Sequence, residues 1–222
     1  MQKRYIVIGS YNTAEHGWTL TGWKLSPAEQ KTYFVDRVGG DGSWDMSTAL
    51  TDGQPRYNDR TLTVTLEHSG GNRLSRETII RDMVNRLDGM REDIELPDDP
   101  LHYITGRLHV SREYNDPAHA AVTVTAVCSP WKYSSTEKGL FLTAATTEKT
   151  AQLVNEGRLA VVPSVVVSGT NASVRLTYGS ISRALSAGTY KLPDLLLTPG
   201  TNPVKYSGTG TVNIKYREAV LE

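Results

Sequence analysis

The chain of 222 residues has almost no cysteine: Cys128 stands alone. One thiol cannot form an internal disulfide, so folding needs no oxidising compartment. Cys128 ends the apolar run AVTVTAVCSP and reads as a small buried hydrophobe. Net charge is missing too, because 24 Lys and Arg balance 24 Asp and Glu. A dedicated nucleic-acid binder or membrane-surface protein would carry a basic excess, so neither class is expected. Long apolar runs are also absent. Nothing approaches the roughly 18 consecutive apolar residues of a membrane span, and no membrane anchor is expected. The apolar run Tyr5 to Ile8, behind a basic start, is too short for a signal peptide. Phenylalanine is scarce, two residues against eleven tyrosines, which suits half-buried strand faces and interfaces more than a deep oily core.

What is there points to a turn-rich β protein. The chain carries 19 glycines and many Ser and Thr. YIVIGSY reads as a short strand. In TLTVTLEH, Thr61 to His68, the alternation puts Leu62, Val64 and Leu66 on one face. The period changes at Ser75. Ile79, Ile80, Met83, Val84, Leu87 and Met90 recur at three- and four-residue steps and predict one helix over about 75–89. Ser75 is its expected N-cap and Gly89 its stop. LPDDP, Leu96 to Pro100, is a turn. LHYITGRLHVSREY and HAAVTVTAVCSP read as two strands joined through NDPA. From about residue 134 the helical period is gone. LAVVPSVVVSG, ASVRLTYG, GTYKLPDLLL, NPVKYSG and GTVNIKYRE give short strands between Gly, Asn and Pro turns, the pattern of a small antiparallel β-sandwich. The expected boundary divides 1–133 from 134–222. Charge divides along the same line: 15 basic against 18 acidic residues (net −3) before it, 9 against 6 (net +3) after it.

The stretch VDRVGGDGSWDMS, Val35 to Ser47, looks like a ligand loop, and each ligand template fails. A phosphate loop needs Lys then Ser or Thr after the glycines and a helix beyond them. An EF-hand needs alternate Asp or Asn, then Gly, then a closing Glu; Asp41, Asp45 and Asp52 do not have that spacing. A tight turn at Gly39 to Gly42 remains, followed by the alternate apolar pair Trp44 and Met46. His102 and His109 lie seven apart on one strand, hence on opposite faces, and cannot share a metal from there. His16, His68 and His119 add no ligand motif, and no metal or cofactor is expected. No G-x-S-x-G elbow occurs, and Asp98-Asp99 sits in a Pro-bounded turn where acids are ordinary. The chain reads as a non-enzyme, mainly β with one α-helix.

The order of the unusual segments carries a resemblance. GGDG precedes the strand opened by Tyr57 and Arg60. The helix leads to a Tyr-x-x-Gly-Arg strand at Tyr103, Gly106 and Arg107. Pro130 to Tyr133 follows, then the Asn155–Gly157 turn, Pro163 and the final VKYSGTGTVNIKYRE. Over nearly the whole chain this series resembles the distal tail proteins, the Dit-like tail hubs, of long-tailed non-contractile phages and related prophages. The resemblance implies a homo-hexameric ring. Its N-terminal β-barrel-like domain with the helix surrounds a central channel, and a galectin-like C-terminal β-sandwich projects outward. Such a ring joins the tail tube protein to the tail-tip or baseplate hub protein, and in some relatives carries a receptor-binding protein. DNA is met only in transit. The protein would be made in the host cytoplasm and reside in the virion. Gly40, Asp41, Gly42, Trp44, Tyr57, Arg60, Tyr103, Arg107, Trp131 and Tyr133 are the candidates for the turn and ring interface. The competing reading is a carbohydrate-binding β-sandwich module using Tyr178, Tyr190, Tyr206 and Tyr216. The sandwich, about 89 residues, is short for the inserted sugar-binding module of some relatives.

Overall fold

The structure, a computed structural model, describes residues 5–51, 53–113 and 119–222, with His119 described by its backbone. The NDPA connection and Asp52 lie outside the described residues. The protein is mainly β with one α-helix, and it divides into two compact units, Met1–Lys132 and Tyr133–Glu222.

In the first unit, YIVIGSY forms a small hairpin of β1 (Val7–Ile8) and β2 (Tyr11–Asn12) rather than one strand, because Gly9 takes a left-handed conformation (φ 56°) between them. Next come β3 (Thr19–Leu25), β4 (Phe34–Asp36), β5 (Ser43–Asp45), β6 (Arg60–Ser69), α1 (Arg73–Leu87), β7 (Arg91–Glu95), β8 (His102–Glu113) and β9 (His119–Ser134). The main sheet runs β2-β1-β7-β8-β9-β6-β3 and curls into a half-barrel. On β6 the alternation holds: Leu62, Val64 and Leu66 are buried beside Val122, Val124 and Ala126 of β9. Ile80, Met83 and Leu87 of α1 complete that core.

The helix begins earlier than expected. Its N-cap is Asn72, whose side-chain oxygen accepts from Ser75 N at 2.9 Å. Asn and Ser are about equally good caps, and here the Asn is used while the Ser75 hydroxyl donates back to Asn72 O. Gly89, at φ 76°, lies just past the C-cap Asp88 and ends the helix as expected. Met90, beyond it, is exposed and leaves the apolar stripe. Arg112 grips Glu77 with both terminal nitrogens at 2.5 Å, which fastens α1 to β8.

The second unit contains β10 (Lys138–Thr143), β11 (Lys149–Asn155), β12 (Ser164–Tyr178), β13 (Ile181–Ser186), β14 (Gly188–Lys191), β15 (Gly200–Tyr216) and β16 (Ala219–Val220). Four of the expected short strands are halves of two long ones. LAVVPSVVVSG, from Ser164 onward, and ASVRLTYG, to Tyr178, fall in β12; NPVKYSG and GTVNIKYRE, to Tyr216, fall in β15, and residues 159–163 lie ahead of β12. The first half of β12 pairs with β14 and the second half of β15, which also pairs with β10. The second half of β12 pairs with β13 and the first half of β15, which also pairs with β11. Both strands bend where the register shifts, at Gly169 to Ala172 and Gly208 to Gly210. Such corners let a strand pass from one sheet to the other. Val165, Val167, Val212 and Ile214 then share one core with Val174, Leu176, Leu153 and Val204.

Candidate functional site

The glycine-aspartate turn is the tip of an exposed arm. The β4–β5 hairpin forms its own two-stranded sheet, apart from the main one. Gly39 and Gly42 adopt φ 75° and 73°, and the loop closes with Arg37 and Gly42 bonded across it. These are conformations that glycine supplies without steric cost. At the arm's root, Lys31 N donates to Arg56 O, and Gln30 forms a bridge with Tyr57. Among the described residues from 26 to 59, none is buried.

The arm has distinct faces. Val35 lies directly opposite Trp44, and Tyr33 O accepts from Met46 N, so Tyr33, Val35, Trp44 and Met46 share one face. Trp44 is 56% exposed and Tyr33 66%, with the Arg37 guanidinium 5.7 Å from the Trp44 ring centroid. The other face is mostly polar, with Ser43 donating to Asp36 at 2.9 Å and Phe34 as its apolar member. Gly40, Asp41, Gly42 and Trp44 are therefore gathered at one exposed place. Tyr33, Phe34 and Val38 belong with them. Their signal in the sequence was the apolar run Tyr33-Phe34-Val35 ahead of the glycines, answered by the alternate pair Trp44 and Met46 behind them.

The remaining candidates lie elsewhere. Tyr57 meets Trp131 edge-on, ring centroids 5.6 Å apart, near the arm's root. Arg60 is buried, its Nε donating to Ser26 O at 2.6 Å, so its role is internal. Tyr103 and Arg107 share the outer face of β8; Arg107 donates to Gly89 O at 2.7 Å. Tyr133 opens the second unit. Asp99, in the LPDDP turn, accepts from His102 at 2.8 Å and Lys132 at 3.0 Å. Burial opposes its ionisation, but those two partners hold its carboxyl below the ordinary range.

His102 and His109 each bond their own carboxylate, Asp99 and Asp88. Among the described residues no group of three or more His, Cys, Asp or Glu could hold a metal ion. Burial raises the Cys128 thiol to about 11, which leaves it protonated and inert as a nucleophile. Among the described residues no helix is long and apolar enough to cross a membrane.

The four tyrosines of the sugar-binding reading do not form an exposed platform. Tyr206 and Tyr216 are buried, and Tyr216 donates to Val154 O at 2.7 Å. Tyr178 donates to Asn202 and Tyr190 to Ser186 O. A shallow cleft beside Leu176, Tyr178 and Ile181 is apolar, and its two charges, Arg183 and Asp194, are paired with each other.

No family model and no curated protein matches the sequence. A solved structure does match: the crystal structure of the SPP1 Dit protein (gp 19.1), described as a paradigm of the hub adsorption apparatus in phages that infect Gram-positive bacteria. The TM-score is 0.66, with 16% identity over 97% of this chain and 98% of that one. The two chains share one fold. The Dit-like fold thus covers both units, and the resemblance carried by the order of motifs agrees with it.

Proposed function

We infer that the chain is a structural component of a phage or prophage tail: a hub that closes into a homo-hexameric ring between the tail tube and the tail-tip or baseplate proteins. The observation that carries this is the fold shared with a hub protein from end to end. The exposed arm supports it. A ribbon of about two dozen residues with an aromatic face and no core of its own gains stability when that face is covered, and the aromatic and Met content is that of an interface core. The arm's face of Tyr33, Val35, Trp44 and Met46 would lie on the next copy. A head-to-tail contact of this kind generates a ring when the rotation closes.

The first unit would build the ring and surround the passage for DNA, and the second would point outward, where tail-tip or receptor-binding proteins attach. The protein would act in the virion, without catalysis. Light scattering on the full chain, alone and mixed with a phage tail-tube protein, tests this. Six-fold chain mass is the expected result. A chain that stays monomeric under both conditions sinks the hub reading.

A further inference from the structure

The core of the first unit occupies one face of its main sheet, and the opposite face is a field of threonines. Alternation along β6 buries Leu62, Val64 and Leu66 towards α1 and turns Thr61, Thr63 and Thr65 away. On the adjacent β9, Val122, Val124 and Ala126 face the core, and Thr123 and Thr125 face away. The register puts Thr63 opposite Thr125 and Thr65 opposite Thr123. Thr105 continues the field on β8. Several hydroxyls are engaged: Thr105 donates to Asp93 at 2.6 Å, Thr123 to Glu113 at 3.0 Å. Thr21 adds a further hydroxyl, donating to Thr65 O at 3.2 Å.

The field suits neither a subunit contact nor a polyanion-binding groove. Interface cores draw on aromatic residues, Met and Arg; the stripe of Thr61, Thr63, Thr65, Thr123 and Thr125 on β6 and β9 holds none of these, and Tyr103 and Arg107 flank only its β8 edge at Thr105. Its largest exposed apolar neighbour is Val127. Gripping a phosphate backbone takes several Lys and Arg. Here Lys24, Arg91 and Arg107 are set among Glu67, Asp93, Glu95 and Glu113, so acids outnumber bases, and Arg107 is already bonded to Gly89 O. Short β-branched hydroxylated side chains have little rotamer freedom and keep a flat, hydrated surface. We propose that this threonine face lines the axial passage and forms a hydroxyl wall past which duplex DNA slides without being held. This rests on the hub reading and adds to it the surface that meets the DNA.

The test uses full-length rings formed before DNA is added, run on native gels at low salt. The variant Thr63→Lys/Thr125→Lys is compared with the natural chain on linear and on covalently closed circular duplexes. Natural rings should retard neither DNA. Variant rings should retard the linear form alone, because only a free end can thread a closed ring. Retardation of both forms would place the face on the outside, retardation of neither would remove it from the passage, and either result overturns the proposal. So does a variant that stays monomeric while the natural chain forms rings, since the face would then be a subunit contact. Should the double variant misfold, Thr63→Cys rings can be given a cationic thiosulfonate after assembly and read in the same way, with buried Cys128 out of reach. Failure of the natural chain to form rings is a separate result. It fells the hub reading, and this proposal with it.

Discussion

A Cβ atom on Gly208 would stand 2.0 Å from the carbonyl oxygen of Ser173. The two backbones meet there because β12 and β15 turn the sandwich corner side by side, with Gly208 at φ 121°. Gly208→Ala should therefore cost ~3 kcal/mol or more, from a steric clash added to a forbidden conformation. Gly179→Ala is the control. Its φ is 57° but open space surrounds it, so roughly 1 kcal/mol is expected. Urea titration of the full chain measures both. Equal losses would show that crowding at Gly208 is relieved by small shifts.

Gly106 in the Tyr-x-x-Gly-Arg strand is set by a different neighbour. A Cβ there would lie 2.6 Å from the Cys128 sulfur and 3.2 Å from the Ala126 Cβ. Gly106→Ala should destabilise by about 1–3 kcal/mol through overpacking. Cys128→Ala removes the sulfur, and the double variant should recover most of that loss. A coupling of ~1 kcal/mol or more in the thermodynamic cycle is the expected outcome. Simple additivity would mean that Ala126 and the Val127 carbonyl, 3.2 and 3.3 Å from the added Cβ, exclude the methyl group, not the thiol.

Trp44 offers the opposite behaviour. It is exposed in the single chain, so Trp44→Ala should leave thermal unfolding of the monomer within about 0.5 kcal/mol of the natural protein. Assembly should weaken by about tenfold or more, the usual cost of removing an aromatic anchor. Sedimentation over a range of concentrations separates the two effects. Unchanged assembly would free the arm for another partner.

Asp99 makes stability depend on pH. Its folded pKa lies below the unfolded value, near 3.8, because His102 and Lys132 outweigh the opposing effect of burial. Such a group stabilises the fold above the unfolded pKa, and the contribution disappears as pH falls through the folded one. Asp99→Asn should thus lower the melting temperature at pH 7. The gap to the natural chain should close as the pH falls below about 4. A gap that persists at low pH would mark the carboxylate's charge as irrelevant.

Much of this architecture was legible in the sequence where local periodicity decides it. Leu62, Val64 and Leu66 announced a half-buried strand, and Ile80, Met83 and Leu87 announced the helix face. Failures came where tertiary contacts override local chemistry. Gly208 and Gly210 looked like a turn, yet they let one strand bend while staying paired. KGLFLT and KTAQLVN carry few bulky β-branched residues, and it is the partners supplied by β15 that make both of them strands. The arm's tip was legible from its glycines. Its apolar face was only partly so, because Tyr33 and Val35 precede the turn and gain meaning once the register with Trp44 and Met46 is known.

The two long strands also decide how the second unit bears load. β12 and β15 each run through both layers of the sandwich. Force applied to one layer is therefore passed to the other along covalent backbone, as tension, and not across the apolar seam between them. The layers cannot be peeled apart while those strands stay intact, so the domain should yield as a single unit when pulled.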